Sequence, residues 1–395
     1  MDKMAIAFFH TDGNGARNDI RASEALFYLG LGIWLVSATF ETSSLDGRYT
    51  EFRIMGFCVA LFSALLEMRT RTLRLSDLLL LVAFLLAWHG GDLYICQTLV
   101  LAYCARSFYF RSIVSACLAI QASVVVLILL LCVIGIAPDE ISMSPDGAVR
   151  HSVGFIHPAT LGHHYLNFTL MYFYLKRGRL SLIESLVIVA IDLLIWKVGG
   201  VSVALLPTVL VLVAKVAEIW RDRQGKRGVR RFLRAVAVCW FPFMVAFSIV
   251  VFLMIDPNSP LGMKLDSLLS QRVSLSNTAL NTYGITLFGS NVQFNFYGSQ
   301  GIGNSYFFID NSYLQILFVD GLVELVVVVL LFCRLMSQAA KASPLIAFVL
   351  AFYGINAFID PQLLQLQYCV FLLLLGATLE PEKEKATEED NSYLG

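Results

Sequence analysis

The stretch SYLQILFVDGLVELVVVVLLFC, residues 312–333, is long and apolar enough to cross a lipid bilayer as an α-helix. A crossing needs ~20 apolar residues, because a helix rises ~1.5 Å per residue through a hydrocarbon layer ~30 Å thick. The pattern recurs along the chain, which is 57% hydrophobic and 15% charged and has a mean hydropathy of +0.71. This composition excludes an ordinary soluble domain and predicts an all-α polytopic membrane protein.

We predict about twelve transmembrane helices in a single domain that covers residues 1–379. The predicted spans are 24–40, 53–68, 76–89, 92–105, 112–136, 159–175, 181–196, 200–219, 233–255, 309–333, 343–359 and 361–379. The remaining stretch, EPEKEKATEEDNSYLG (380–395), is a charge run of the kind that forms a disordered, solvated tail.

Lysine and arginine gather in the loops after every second span, in RTRTLR (69–74), RSFYFR (106–111), KRGR (176–179) and RDRQGKRGVRRFLR (221–234). Loops rich in these residues face the cytoplasm. With twelve spans, 23 of the 29 Lys and Arg lie on the side of both termini. We therefore predict cytoplasmic termini, a cytoplasmic loop at 220–232 and outer loops at 137–158 and 256–308. The six outer cations are Arg48, Arg53, Arg150, Lys197, Lys264 and Arg272.

The outer loop 256–308 is far longer than an ordinary connection, and loops of that length usually serve function. Its segment SPLGMKLDSLLSQRVSLSNTALNTYG predicts a helix with Leu265, Leu268, Leu269 and Arg272 on one face. If that face packs on the bundle, the Arg272 guanidinium enters a partly dry pocket and matches a phosphate. The alternative is an interfacial arginine that snorkels to water.

The outer loop 137–158 ends in a second group of polar residues. Arg150 precedes HPATLGHHY, in which Pro158 suits the first turn of a helix and Thr160 suits its cap. A helix N-terminus beside Arg150, His157 and His163 predicts an anion site. The alternative is a capped helix with interfacial histidines.

Asp310 and Asn311 precede the stretch 312–333 and fall at the outer mouth of span ten. Asp310 is a candidate general base or a partner for an arginine, and either residue is also a common helix cap. Ionisable residues deeper in predicted spans are costly and suggest function. These are Glu184, Asp192, Asp320 and Glu324, which we rank below the outer residues.

Other function classes have little support in the sequence. The net charge of zero gives no basic surface for nucleic acid. No Walker motif, HExxH or GxSxG is present, and no metal-ligand spacing is evident, so we expect no cofactor and a metal-independent reaction. The eight cysteines fall inside apolar runs and predict no disulfide framework.

Three segments resemble signatures of the Wzy-type polysaccharide polymerases, within the O-antigen polymerase and ligase superfamily. They are RHSVGFIHPATLG (150–162), QRVSLSNTALNTYGITLFGSN (271–291) and FFIDNSYLQILFVDGL (307–322), in the family's order. Ala159 replaces the usual Asn, Asp320 replaces an aromatic residue, and WKVGGVS (196–202) departs from the family's SR pattern. Where the wider superfamily carries the motif HN.YL, this chain has DNSYL, so Asp310 replaces the histidine and Asn311 is kept. This replacement favours the polymerases over the ligases.

The resemblance implies a bundle like that of GT-C glycosyltransferases in the bacterial cytoplasmic membrane. It implies that repeat units carried on undecaprenyl diphosphate are joined at the outer face. Arg150 and Arg272 would then hold the diphosphate, and Asp310 with Asn311 would face the acceptor hydroxyl. The further candidate substrate contacts are His157, His163, Tyr283 and Tyr313. Candidate partners are a chain-length regulator and a flippase.

Rival functions remain open at this point. A lipid-linked oligosaccharide flippase or other secondary transporter also has about twelve spans, and Asp192, Asp320 and Glu324 suit it. A polymer ligase differs only in its acceptor, and a non-enzymatic membrane scaffold is the third alternative. The sugars, the linkage and the product class (capsule, exopolysaccharide or O-antigen) are open as well.

Overall fold

The structure is a computed structural model that describes residues 16–66, 75–143, 149–221, 227–295 and 306–379. Three predicted features lie wholly or partly outside the described residues: the tail 380–395, the basic segment 69–74, and residues 222–226 of the predicted loop 220–232. The chain is mostly helical, as predicted. Five helical segments are long and apolar enough to cross a membrane, which indicates a membrane protein: Ala22–Phe40, Tyr49–Leu66, Phe110–Val133, Arg234–Met254 and Leu322–Ala342.

Helices occupy eleven of the twelve predicted spans. The α-helices of the described residues are α1 (Ala16–Phe40), α2 (Tyr49–Leu66), α3 (Leu75–Gly90), α4 (Leu93–Cys104), α5 (Phe110–Val133), α6 (Ala159–Leu175), α7 (Leu182–Gly199), α8 (Leu206–Arg221), α9 (Arg227–Ile249), α10 (Pro260–Leu268), α11 (Arg272–Tyr283), α12 (Ser312–Val319), α13 (Leu322–Ala342) and α14 (Pro344–Ile359). Of these, α10 and α11 lie between predicted spans nine and ten, and α12 and α13 both lie in span ten. A π-helical turn at Val250–Met254 extends α9.

The predicted twelfth span, 361–379, is not an α-helix. Its only helical part is a 3-10 segment, Val370–Leu375. Polar side chains take over part of its backbone hydrogen bonding, because the carbonyl of Gln367 accepts from Gln121 Nε2 at 2.9 Å and from Asn167 Nδ2 at 3.1 Å. Most of the segment is buried among neighbouring helices, and irregular backbone at membrane depth is tolerated only in such surroundings.

Predicted span ten is also not one continuous helix, because α12 and α13 are separated at Asp320–Gly321. Gly321 has a φ of +98°, which a residue with a side chain rarely adopts. The loop 256–308 folds into the break, where its carbonyl groups at Thr286 and Leu287 accept from the N–H groups of Leu322 and Val323 at 3.0 and 3.1 Å. The long loop therefore packs into the bundle rather than lying above it.

The described part of the loop 256–308 contains two helices rather than the single predicted one. The chain turns between α10 and α11, where Ser270 and Gln271 have positive φ, so Leu268 does not share a face with Arg272 and is 70% exposed. Asp266 holds the corner, since its carboxylate accepts from Ser274 N at 2.8 Å and from the Ser274 hydroxyl. This corner fixes Arg272 as the first residue of α11.

The loop 137–158 contains a small antiparallel sheet that the sequence did not predict. Strands β1 (Ile141–Met143) and β2 (Val149–His151) pair with Ser142 opposite Arg150. Asp139 Oδ2 lies 2.7 Å from His151 Nδ1, and Asp139 Oδ1 accepts from Val153 N at 2.8 Å. The sheet is thereby tied to the chain that leads into α6.

The connections between helices collect at two opposite ends of the bundle. One end, called the site end below, joins the turn after α1, the loop 137–158, the end of α7, the start of α12 and the end of α14. Its contacts include Ser44–Gly154, Thr42–Ile156, Pro158–Gly199, Arg150–Gly200 and Ser312–Asp360. The opposite end has Asp77–Arg106, Arg111–Leu175, Leu180–Lys215, Gly178–Leu345 and Phe110–Thr378.

Candidate functional site

An arginine–carboxylate pair occupies the mouth of the bundle at the site end. Arg272 Nε lies 3.5 Å from Asp310 Oδ2, and each side chain is about one-fifth exposed (22% and 21%). At that separation the contact is an ion pair rather than a close hydrogen bond, and Arg272 Nε is buried without a hydrogen-bond partner. The guanidinium is thus held by charge while a donor remains unused.

Asn311, not Asp310, caps α12. Its Oδ1 accepts from Leu314 N at 2.9 Å, and its Nδ2 donates to Ser248 Oγ at 3.0 Å and to the Phe358 carbonyl at 2.9 Å. Asn311 is 1% exposed. Its amide therefore serves to dock α12 on α9 and α14, and the cap leaves the carboxylate of Asp310 available for Arg272.

A second carboxylate, Asp360, stands beside this pair. The Ser312 hydroxyl donates to the Asp360 carbonyl at 2.6 Å and accepts from Leu363 N at 3.1 Å, which fixes the end of α14 against the start of α12. Asp360 Oδ1 lies 3.3 Å from His163 Nε2. Sequence reasoning missed Asp360, although a lone carboxylate in a tight turn between two apolar runs is the same signal that singled out Asp310.

The surroundings raise the pKa of Asp310 to about 6. Burial is the main cause, and the nearby charge of Asp360 acts in the same direction. Arg272 opposes both by favouring the charged carboxylate. A carboxylate with this pKa is charged at neutral pH and yet is a better proton acceptor than an exposed aspartate.

The start of α6 adds His157 and Arg150 to the cluster. His157 Nδ1 accepts from Ala159 N at 3.2 Å, whereas Thr160 does not cap the helix. Loss of solvent around His157 lowers its pKa. The charges of His163 and Arg150 lower this pKa further, and the charge of Asp360 partly offsets them. His157 on one side of the mouth and Asp310 on the other therefore have the same charged neighbours, His163 and Asp360.

Arg150 reaches the mouth along β2 and rests against the turn after α7. Gly200, with a φ of +61°, leaves room for it, because a Cβ there would lie 3.1 Å from Arg150 Cγ and 3.2 Å from its Nε. Arg150 Nε is buried without a hydrogen-bond partner. Two arginines with unused Nε donors therefore flank the same mouth.

The two predicted tyrosines are not part of this charged cluster. Tyr313 is 1% exposed, and its hydroxyl donates to the Gly354 carbonyl at 2.9 Å inside the bundle. The Tyr283 hydroxyl accepts from Gln293 N at 3.1 Å, and its ring stacks on Phe307 with centroids 6.2 Å apart. Tyr313 serves packing, and Tyr283 orders the outer loop that leads to Asp310.

The deeper ionisable residues divide into two groups. Glu184 belongs to a capping box with Ser181 and also binds Lys176 at 2.8 Å, and Asp192 accepts from Thr208 N at 3.0 Å. Asp320 and Glu324 are 4% and 0% exposed, and three of their carboxyl oxygens are buried without a hydrogen-bond partner. The contacts of Glu184 and Asp192 therefore stabilise the fold, whereas those three oxygens of Asp320 and Glu324 make no hydrogen bond.

The arrangement suits transfer chemistry on an anionic leaving group. Arginine donors stabilise negative charge that develops on a departing phosphate, and they do so more strongly in a partly dry site. A carboxylate beside them accepts a proton from, or orients, an attacking hydroxyl. Among the described residues, no group of three or more His, Cys, Asp or Glu side chains is placed to hold a metal ion.

Comparison of the chain with protein-family models, with curated proteins and with solved structures found no match.

Proposed function

We propose that the protein is a polysaccharide polymerase of the outer face of a bacterial cytoplasmic membrane. It joins oligosaccharide repeat units carried on undecaprenyl diphosphate by glycosyl transfer. The observation that carries the proposal is the cluster at one mouth of the bundle, where Arg272 lies 3.5 Å from Asp310 and His163 lies 3.3 Å from Asp360. The charges of His163 and Asp360 act on both Asp310 and His157, and the charge of Arg150 acts on His157.

The convergence of distant segments supports this function. Segment 150–162 is separated from the other two polymerase-like segments by over a hundred residues of mostly apolar chain, yet all three contribute to the same mouth. Segment 150–162 supplies Arg150 and His157, segment 271–291 supplies Arg272, and segment 307–322 supplies Asp310. A chance likeness in apolar sequence would not require these residues to meet.

Each residue then has a defined chemical role. Arg272 and Arg150 bind the donor diphosphate through their guanidinium groups and stabilise the charge that remains on it when the glycosidic bond breaks. Asp310 accepts the proton of the acceptor hydroxyl, or orients that hydroxyl, as the new bond forms. Asp360 holds His163 and tunes Asp310, and it is therefore a positioning residue.

Membrane orientation is part of the proposal. The arginines and lysines of segments 106–111 and 176–179 lie toward the end opposite the site, where Arg111 donates to the Leu175 carbonyl at 2.7 Å. Under the charge rule that end faces the cytoplasm, and the site end faces outward. A reporter fused near residue 290 should be outside and one near 226 inside, and the reverse pattern would contradict every role above.

The simplest cellular test removes the gene and measures the size of the surface glycan. Loss of a polymerase leaves single repeat units on their final carrier. Loss of a flippase leaves no surface repeat units at all, and loss of a ligase leaves long chains that stay on undecaprenyl diphosphate. Only the first outcome agrees with the proposal.

A transporter is the second candidate, favoured by the broken helix at Asp320–Gly321. Discontinuous helices with buried ionisable residues are typical of secondary transporters. Asp320 and Glu324 fit that pattern because they are buried beside the break without hydrogen-bond partners. Transport of lipid-linked repeat units into proteoliposomes by the purified protein would favour this candidate.

A further inference from the structure

A cavity of about 120 Å³ opens beside the charged cluster, between the start of α4, α12 and the turn after α14. A cavity of this size holds at most one sugar and not an oligosaccharide. Its polar and aromatic lining consists of Asp92, Tyr94, Phe294, Gln315, Asp320 and Gln365, together with Ser312.

The walls of this cavity are fixed by contacts behind them. Arg53 stacks on Tyr94, with its guanidinium carbon 4.3 Å from the ring centroid, and the Tyr94 hydroxyl donates to Gln367. Asp92 Oδ1 caps α4 by accepting from Tyr94 N and Ile95 N at 2.9 Å each. The aromatic wall and one carboxylate are therefore held in place without a ligand.

Asp320 is the second carboxylate in the lining and has an unused oxygen. Its side chain is 4% exposed, and its Oδ1 is buried without a hydrogen-bond partner. This oxygen faces Gly90 at the end of α3, where a Cβ would lie 2.7 Å from it. Asp320 therefore offers its other carboxyl oxygen, Oδ2, to the cavity that it lines.

The cavity adjoins the proposed reaction site without sharing its charged side chains. Ser312 lines the cavity and also donates to the carbonyl of Asp360, and Pro361, the next residue, lines it too. Asp310 lies two residues before Ser312. The cavity therefore lies next to the segment that carries Asp310.

We propose that this cavity is a monosaccharide subsite that selects a neutral or amino sugar and rejects a uronic acid. The proposal rests on the proposed function, because it places one sugar of the substrate saccharide. Carboxylates and amides accept and donate hydrogen bonds to sugar hydroxyls, and aromatic faces pack on the apolar faces of a sugar ring.

The sign of the charge makes the selection. No lysine or arginine lines the cavity among the described residues, whereas Asp92 and Asp320 do. The nearby cation Arg53 is paired with Glu41. An ammonium group gains a charge-assisted hydrogen bond from these carboxylates, and a sugar carboxylate meets repulsion.

The test measures binding of single sugars to the purified full-length protein in nanodiscs by saturation-transfer NMR at neutral pH. The probes are glucose, glucosamine and glucuronate. The variants are Asp320→Asn and Asp92→Asn, and the second keeps the α4 cap because asparagine caps as well as aspartate. Asp46→Asn, at an exposed carboxylate in the turn after α1, is the matched control.

We expect the wild type and the Asp46 variant to bind glucosamine roughly 10-fold or more tightly than glucuronate, the usual worth of a hydrogen bond to a charged group. Each cavity variant should reduce that ratio severalfold. Binding of none of the sugars, or a ratio that both cavity variants leave unchanged, would overturn the subsite. Sugar selection in a protein that fails to polymerise would instead overturn the proposed function and leave the subsite standing.

Discussion

Removal of the Arg272 charge should raise the pKa of Asp310 and shift the pH dependence of the reaction. The perturbation is Arg272→Gln, which keeps a polar side chain of moderate length. Asp310 has a pKa of about 6, and Arg272 is the main group that lowers it. A base must be deprotonated to act, so wild-type kcat/KM should rise with pH through about 6 and level off above it.

The size of the shift follows from the distance. A unit charge 3.5 Å away contributes about 1 kcal/mol at the dielectric constant of water and about 5 kcal/mol at an effective value near 20. One pKa unit corresponds to about 1.4 kcal/mol. Because both side chains are about one-fifth exposed, we use the lower part of that range. The rising limb of the pH profile of kcat/KM should therefore move to higher pH by roughly one to two units.

The assay is polymerisation of defined lipid-linked repeat units by the purified protein, with each pH profile scaled to its own plateau. Asp360→Asn provides the opposing perturbation, because it removes a charge that raises the pKa of Asp310, and its limb should move to lower pH. The reasoning would be refuted if the Arg272→Gln limb stayed at the wild-type pH, or if both variants shifted in the same direction.

Two further substitutions test the packing of the site. Asn311→Ala should lower the free energy of unfolding by roughly 1–3 kcal/mol, since it removes a cap and leaves buried partners unsatisfied; unchanged thermal stability in detergent would contradict the docking role. Gly200→Ala should displace Arg150 and weaken donor binding, raising KM for the lipid-linked donor. Gly135→Ala is its control, because Gly135 also has positive φ but open space around it, so equal KM values for the two variants would count against the role of Arg150.

Much of the fold follows from hydropathy, but its interruptions do not. Helices occur in eleven of the predicted spans, and in the described residues five helical segments are long and apolar enough to cross a membrane. The break at Asp320–Gly321 carries a turn dipeptide, yet its apolar flanks predict a continuous helix. The break is stabilised by the distant segment at Thr286 and Leu287, and one sequence gives no measure of such pairing.

The candidate site was predictable where charge stands out against its surroundings. Arg150 and Arg272 are cations on the side of the membrane that the predicted topology disfavours for them, and Asp310 is a carboxylate at the start of an apolar run. Asp360 carries the same signal, a carboxylate beside apolar runs, but its place next to Asp310 depends on the contact between Ser312 and the end of α14. Tyr313 was assigned to substrate by its place near the motif, but its direction is set by contact with Gly354, which depends on how α12 packs on α14.

The central claim is that Asp310, held beside Arg272, carries out glycosyl transfer between lipid-linked repeat units. The most direct test compares the wild type with Asp310→Asn in the purified polymerisation assay, with Asp46→Asn as the control for loss of an outer carboxylate. We predict a ladder of long products from the wild type and the control. Asp310→Asn should fold normally and lose roughly 10²–10⁴ in rate, the usual contribution of acid–base catalysis. A ladder from Asp310→Asn at the wild-type rate would contradict the claim.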